Sequence, residues 1–213
     1  MTTNRPMVIL LSGWAGSGKD CTATLLTEEF GFRRLAFADA LKSDVSRVTG
    51  LQLDCFYTSQ KDRPLAIVCS VYPSAKTPRD VLIQHALVRR AEDPDIYSRG
   101  IATDILKTTE KRAGEEVHNF LHMGKFVITD WRYLREHEVI AEELGKLYQI
   151  VRVRIDRPSI TQSADPSEHD LDGLAMDYVI HNDGSISDLR RSVKHIFQLA
   201  APKVITQSAF NTR

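Results

Sequence analysis

No Cys-x-x-Cys pair occurs in this chain, and its cysteines number only three, Cys21, Cys55 and Cys69. An odd, unpatterned set of thiols argues against both a disulfide framework and a structural zinc site, so a reducing cytoplasm is the expected setting. Near the N-terminus the only apolar run is Met7–Leu11. It is too short for a signal core or a membrane span, and no membrane association is expected. The chain also lacks an excess of either charge: 28 basic side chains face 28 acidic ones. With no global attraction for polyanions, nucleic acid is not an expected partner. Internal repeats and low-complexity blocks are missing as well.

What remains is 213 residues of ordinary apolar content, enough for one α/β domain with a full core and a lid. Met7–Leu11 reads as a buried parallel strand ending at Ser12-Gly13. Ala23, Leu26 and Phe30 then recur at helical spacing, with Gly31 as a stop. Leu35–Phe37 is the candidate second strand. Residues 39–112 read as mainly helical, broken by Pro64, Pro73, Pro78 and Pro94. Leu41, Val45 and Val48 share one face there, and Tyr97, Ile101 and Ile105 another. Phe126–Thr129 is a third strand. Tyr148–Ile155 alternates as a fourth, with Arg152 and Arg154 opposite Val151, Val153 and Ile155. Tyr178–Ile180 is a fifth, and Leu189, Val193, Ile196 and Phe197 mark a last amphipathic helix. The tail after Pro202 is polar and expected to be loose. Strands alternating with helices predict a three-layer α/β sandwich around a mostly parallel five-stranded sheet.

Gly13-Trp14-Ala15-Gly16-Ser17-Gly18-Lys19-Asp20 carries the chemistry. Its Gly-x4-Gly-Lys spacing lets successive backbone N–H groups turn into one concavity that suits a triphosphate, and the following helix adds its positive end. Lys19 supplies a mobile charge for the β- and γ-phosphates. The expected ligands are ATP and Mg²⁺, with Gly13, Ala15, Gly16, Ser17, Gly18, Lys19, Asp20 and Cys21 around the nucleotide. Asp20 stands where this pattern usually has a hydroxyl residue. Its carboxylate either holds the metal, directly or through water, or merely favours the helix N-terminus. Thr22 is out of register for the usual hydroxyl role. Asp130, at the end of the third strand, has the same two readings: a metal-bound water or a cap. His118 and His122 lack a third ligand and read as solvated. Asp170-Leu171-Asp172-Gly173 matches a GTPase pattern only by coincidence, since no apolar strand precedes it.

From Ser17-Gly18-Lys19-Asp20 onward the chain resembles the deoxynucleoside monophosphate kinases of tailed bacteriophages. The likeness continues through Phe37-Ala38-Asp39-Ala40-Leu41-Lys42, Lys61-Asp62-x-Pro64, Thr77-Pro78-Arg79 with Leu82 and Gln84, and Arg90 with Asp93 and Asp95. Thr129-Asp130-x-Arg132 with Glu136, then Arg154, Arg157-Pro158, Ser167-Glu168 and Asn182-Asp183-Gly184-Ser185, complete it. It spans about residues 7 to 197 in order, departing at His85-Ala86, where the family often has a glycine shortly after the glutamine. The resemblance implies ATP-dependent phosphorylation of a dNMP to a dNDP, a helical acceptor-binding region over 39–112, a lid over 156–176, a homodimer, and the host cytoplasm if the source is viral. It assigns the acceptor to Asp39, Lys42, Arg79, Gln84, Arg90 and Arg132, the transferring phosphoryl to Lys19, Arg132, Arg154 and Arg157, nucleotide contact to Asn182, and metal to Asp20 and Asp130. Guanidinium groups suit phosphate through paired donors. A solvated salt bridge, or a solvated loop for the pair flanking the lid, is the competing reading for these cations. Dephospho-CoA kinases share parts of the pattern, so another small-molecule kinase is one alternative and a non-catalytic nucleotide binder the other.

Overall fold

The computed structural model describes residues 6–113, 124–160 and 169–200. Five strands, β1 (Met7–Ser12), β2 (Arg33–Leu35), β3 (Lys125–Ile128), β4 (Gln149–Asp156) and β5 (Tyr178–His181), form one sheet in the order β2-β3-β1-β4-β5. Every pairing is parallel, so the expected mostly parallel sheet is wholly so. Parallel strands buried on both faces need apolar side chains in both directions, and β1 is buried along its whole length. Met7, Ile9 and Leu11 pack with Val127, Val151, Val153 and Ile155 beneath α1 (Lys19–Phe30) and α6 (Ile186–Ala200). Val8 and Leu10 face the other way, with Phe126 and Ile128 against α4 (Ile96–Ala113) and α5 (Leu134–Leu144). The register explains this: Val8 lies beside Phe126 and Leu10 beside Ile128.

Between β2 and β3 run α2 (Phe37–Thr49), two 3₁₀ turns at Leu53–Phe56 and Thr58–Asp62, α3 (Pro78–Glu92) and α4. A separate apolar cluster of Val45, Phe56, Cys69, Ala75 and Val81 binds α2 and α3 to the turns between them. Thr77 caps α3, accepting from Asp80 N while Asp80 accepts from Thr77 N, and Pro78 occupies the first turn.

Two expectations shift. The second strand lies at 33–35, not 35–37, because Ala36 is already the N-cap of α2 and Phe37 its first residue. Val48 is 41 % exposed, since Phe37, Leu41 and Val45 form the inward i, i+4 stripe of α2 and Val48 turns off it. The remaining strands and helices fall within a residue or two of their expected places. Tyr97, Ile101 and Ile105 are all buried on α4, as their spacing predicts. His118, His122, Ser167-Glu168, the middle of the expected lid and the tail after Pro202 lie outside the described residues.

Candidate functional site

The glycine loop follows the carboxyl end of β1, the central strand, where ligands of open parallel sheets collect. Its shape depends on residues without side chains at two points. Gly13 has φ +138°, and a Cβ there would sit 2.3 Å from the Ile155 carbonyl oxygen. Gly18, at φ +108°, caps α1, and its Cβ would meet Asn182 Nδ2 at 2.3 Å. That close approach has a purpose: Asn182, just past β5, donates from Nδ2 to Ser17 O at 2.7 Å and ties the far edge of the sheet to the loop.

Lys19 opens α1 and folds back over the loop, donating from Nζ to Gly13 O at 2.5 Å and Trp14 O at 2.9 Å. An ammonium held by carbonyls at the mouth of the concavity is positioned to exchange them for phosphate oxygens. Ser12 Oγ, Ser17 Oγ and Thr22 Oγ1 are buried beneath the loop without a hydrogen-bond partner among the described residues. Beside them the Asp20 side chain is 89 % exposed. Hard oxygen donors next to a phosphate concavity are the chemistry Mg²⁺ selects, so the residues present fit a magnesium-nucleotide. Among the described residues no group of three or more His, Cys, Asp or Glu could hold a metal by itself. Cys21 is exposed beside Asp20.

β4 and the segment after it bring two of the expected cations to this loop. Arg157 donates from Nη1 to Gly16 O at 3.4 Å. Arg154 lies 5.7 Å from the centre of the Trp14 ring and donates to Asp172 at 3.0 Å. His169 packs edge-on against Trp14 and also bonds Asp172, which is held below the ordinary carboxyl range first by His169 and then by Arg154. Asp172 of the Asp-x-x-Gly coincidence is therefore a partner of Arg154, and Leu171 is a core residue.

Asp130 is partly buried, just past the end of β3. Its two oxygens accept from Phe37 N and Ala38 N, each at 2.8 Å, so it caps α2 from 93 residues away. Burial raises its pKa, outweighing those two bonds. The expected metal role is neither required nor blocked by this, because each oxygen keeps a further lone pair.

A cavity of about 450 Å³ opens beyond the same strand ends, lined by Arg90, Pro94, Tyr97, Ser98, Tyr133 and Glu136. The Arg90 guanidinium lies 5.5 Å from the Tyr133 ring centre and 5.9 Å from that of Tyr97. Burial pushes Tyr97 up to about 12, and its hydroxyl has no partner among the described residues. Glu136 accepts from Arg132 N at 3.0 Å and Tyr133 N at 3.1 Å, which fixes the turn carrying Arg132. Burial raises Glu136 to about 7; the Asp130 charge adds to the rise, and the two amides and Arg90 oppose it. At the rim Arg135 grips Asp95 with two donors, at 2.7 and 3.0 Å.

The other expected acceptor residues lie apart. Arg79 is exposed and bonds Asp62 at 2.5 Å, joining the Lys61-Asp62-x-Pro64 and Thr77-Pro78-Arg79 segments. Gln84 accepts from Ser74. Arg79 and Arg90 stand near opposite ends of α3, roughly 16 Å apart along its axis, and cannot share one phosphate. Asp39 accepts from Lys42 and Tyr57, both at 3.1 Å. Sequence reasoning passed over Arg34. Its Nη1 lies 3.5 Å from Asp39 and its Nη2 3.8 Å from Asp20. With β2 expected at 35–37, Arg34 preceded the strand; at 33–35 it is the strand's middle residue.

Together the loop and sheet define a P-loop α/β sandwich. No protein-family model matches the chain, and no curated protein matches it in sequence. Among solved structures it is similar to a dephospho-CoA kinase from Campylobacter jejuni, with 14 % identity, 91 % of this chain and 96 % of that one covered, and a TM-score of 0.46. It is also similar to a gluconokinase from Sinorhizobium meliloti, with 14 % identity, 97 % and 99 % covered, and a TM-score of 0.45. An APS kinase from Mycobacterium tuberculosis gives 14 % identity, 92 % and 99 % covered, and a TM-score of 0.42.

Proposed function

We propose that this protein transfers the γ-phosphoryl group of ATP to the phosphate of a deoxynucleoside 5′-monophosphate, giving dNDP and ADP. The observation that carries this reading is the phosphate loop at the end of β1, with Lys19 folded over its mouth and Arg154 and Arg157 against its rim. A phosphate oxygen of the acceptor attacks the γ-phosphorus as the bond to the β–γ bridging oxygen breaks, and that oxygen leaves as part of ADP. The acceptor phosphate is already an anion, so no dedicated general base is required. Catalysis rests on positioning and on offsetting charge. Lys19 exchanges its two carbonyls for triphosphate oxygens. Arg154 and Arg157 turn toward the transferring group. Bound Mg²⁺, with Asp20 as its nearest carboxylate and Asp130 as the second candidate, would neutralise the β- and γ-oxygens.

The cavity between α3, α4 and the turn after β3 supports a nucleotide acceptor. A planar base suits a space walled by Tyr97 and Tyr133, with the Arg90 guanidinium over both rings. Arg132, on the turn fixed by Glu136, would reach the acceptor phosphate. Asp39 and Lys42 would lie toward the sugar-phosphate side, and Arg79 with Gln84 would join them only by leaving Asp62 and Ser74.

A coupled assay of ADP release across dNMPs, NMPs and dephospho-CoA tests the reading. Turnover with at least one dNMP, at higher kcat/KM than with dephospho-CoA, is expected. Turnover with dephospho-CoA alone would overturn the acceptor and keep the kinase. No turnover with any acceptor, despite ATP binding, would leave a nucleotide-binding protein.

A further inference from the structure

Arg34 spans the end of the phosphate loop and the segment after β2 without belonging to either. It is the middle residue of the three-residue edge strand β2 and is exposed there. The two prongs of its guanidinium go separate ways: Nη2 toward Asp20 on the first turn of α1, Nη1 toward Asp39 on the first turn of α2. Asp39 is already held through its other oxygen by Lys42 and Tyr57, with Lys42 also 3.9 Å over the Tyr57 ring. The Asp20 side chain is 89 % exposed, and among the described residues Arg34 is the cation that faces it.

A carboxylate that pairs with a guanidinium and also neighbours a magnesium-nucleotide site has two competing cations. Divalent charge at ligand distance outweighs a monovalent charge 3.8 Å away in solvent. Resting on the reading of the loop as a magnesium-nucleotide site, we infer that Arg34 is a positioning residue for Asp20: it holds the carboxylate toward α2 in the nucleotide-free protein and is displaced when a divalent cation engages Asp20. Displacement leaves a guanidinium with one free prong beside Asp39 and Lys42, at the edge where the acceptor enters.

The inference predicts a competition that binding alone can read. In the full-length protein, calorimetric binding of a non-hydrolysable ATP analogue, measured across Mg²⁺ concentrations, gives a Mg²⁺ midpoint. Arg34→Met keeps much of the side-chain stem and removes the charge, and it should lower that midpoint about two- to fivefold, the range of an exposed ion pair. Asp20→Asn should raise the midpoint. In the Asp20→Asn background, Arg34→Met should then have no effect, because the pair it relieves is gone. An unchanged midpoint in Arg34→Met, or an equal shift with and without Asp20, would overturn the inference while leaving the nucleotide site intact. Wild-type protein that bound the analogue with no Mg²⁺ dependence, or not at all, would remove the reading of the site and this inference with it. Arg34→Lys, which keeps the charge, should restore the wild-type midpoint. Circular dichroism checks that each variant is folded.

Discussion

Lys19 illustrates how much one side chain does before any ligand arrives. Its ammonium closes the loop on the carbonyls of Gly13 and Trp14. Replacement by alanine removes both these two bonds and the charge that, on the proposed reading, follows the transferring phosphoryl. Activity in the coupled assay should fall on the order of 10²-fold or more, while the melting temperature moves by no more than several degrees, as expected for a loss of about 1–2 kcal/mol from a partly solvated loop. Glu136 gives a prediction of a different kind. Folding raises its pKa from the model-compound 4.5 to about 7. Between those values the folded state keeps a proton that the unfolded chain releases, so stability falls as pH rises through that window. Glutamine stays neutral and can still accept from Arg132 N and Tyr133 N. The melting temperature of Glu136→Gln relative to wild type should therefore rise between pH 5 and pH 8, by an amount reflecting on the order of 1–3 kcal/mol. A difference independent of pH would mean that Glu136 does not ionise at that cost in the folded state.

At the scale of the element, α2 depends on a residue that is remote in sequence. Nothing in Ala36 can cap it, and Asp130 does so from the end of β3. Asparagine at 130 presents one acceptor and one donor in place of two acceptors, so one of the N–H groups of Phe37 and Ala38 loses its partner. Asp130→Asn should cost about 1–3 kcal/mol by denaturant titration without any nucleotide present. A purely metal-binding Asp130 would leave stability untouched. The same contact explains what could be read in advance. β1, α1 and the loop between them were legible because their signals are local: an apolar run, a glycine spacing and a helical period. The end of β2 was not, because Arg33 and Arg34 on an edge strand carry no apolar pattern, and the helix start two residues later is fixed by Asp130. That two-residue shift is also what concealed Arg34. Alternation on β4 pointed to Arg154, whereas Arg157, beyond the strand's end, was singled out only by the family resemblance and the expected lid. The pairing of Arg79 with Asp62 joins two segments whose proximity no local pattern announces.

At the scale of the molecule, the sheet is served by two cores, one on each face, and the helical region between β2 and β3 by a third and smaller one around Val45, Phe56 and Val81. Among the described residues no helix is long and apolar enough to cross a membrane. The third core also encloses a chain of polar contacts, in which the buried His85 links Tyr72 at 2.7 Å to Asp44 at 2.8 Å. His85 thereby joins three segments: α2, α3 and the chain around Tyr72. Arg89 and Arg47 reach the same Asp44.

A cluster with its own interior can come apart on its own timetable. Few apolar residues close the third core, and α3 leaves Ile83, Leu87 and Val88 exposed on its outer side. The backbone amides of α3 should therefore exchange with deuterium through an opening that leaves β1, β3 and β4 protected, in a native-state exchange experiment under weak denaturant. The two sets of amides should show different opening free energies and different denaturant slopes, merging only near global unfolding. Identical values throughout would mean one cooperative unit. Separate values would give the helical region between β2 and β3 a means of yielding to a ligand while the phosphate loop, seated on the central strand, stays fixed.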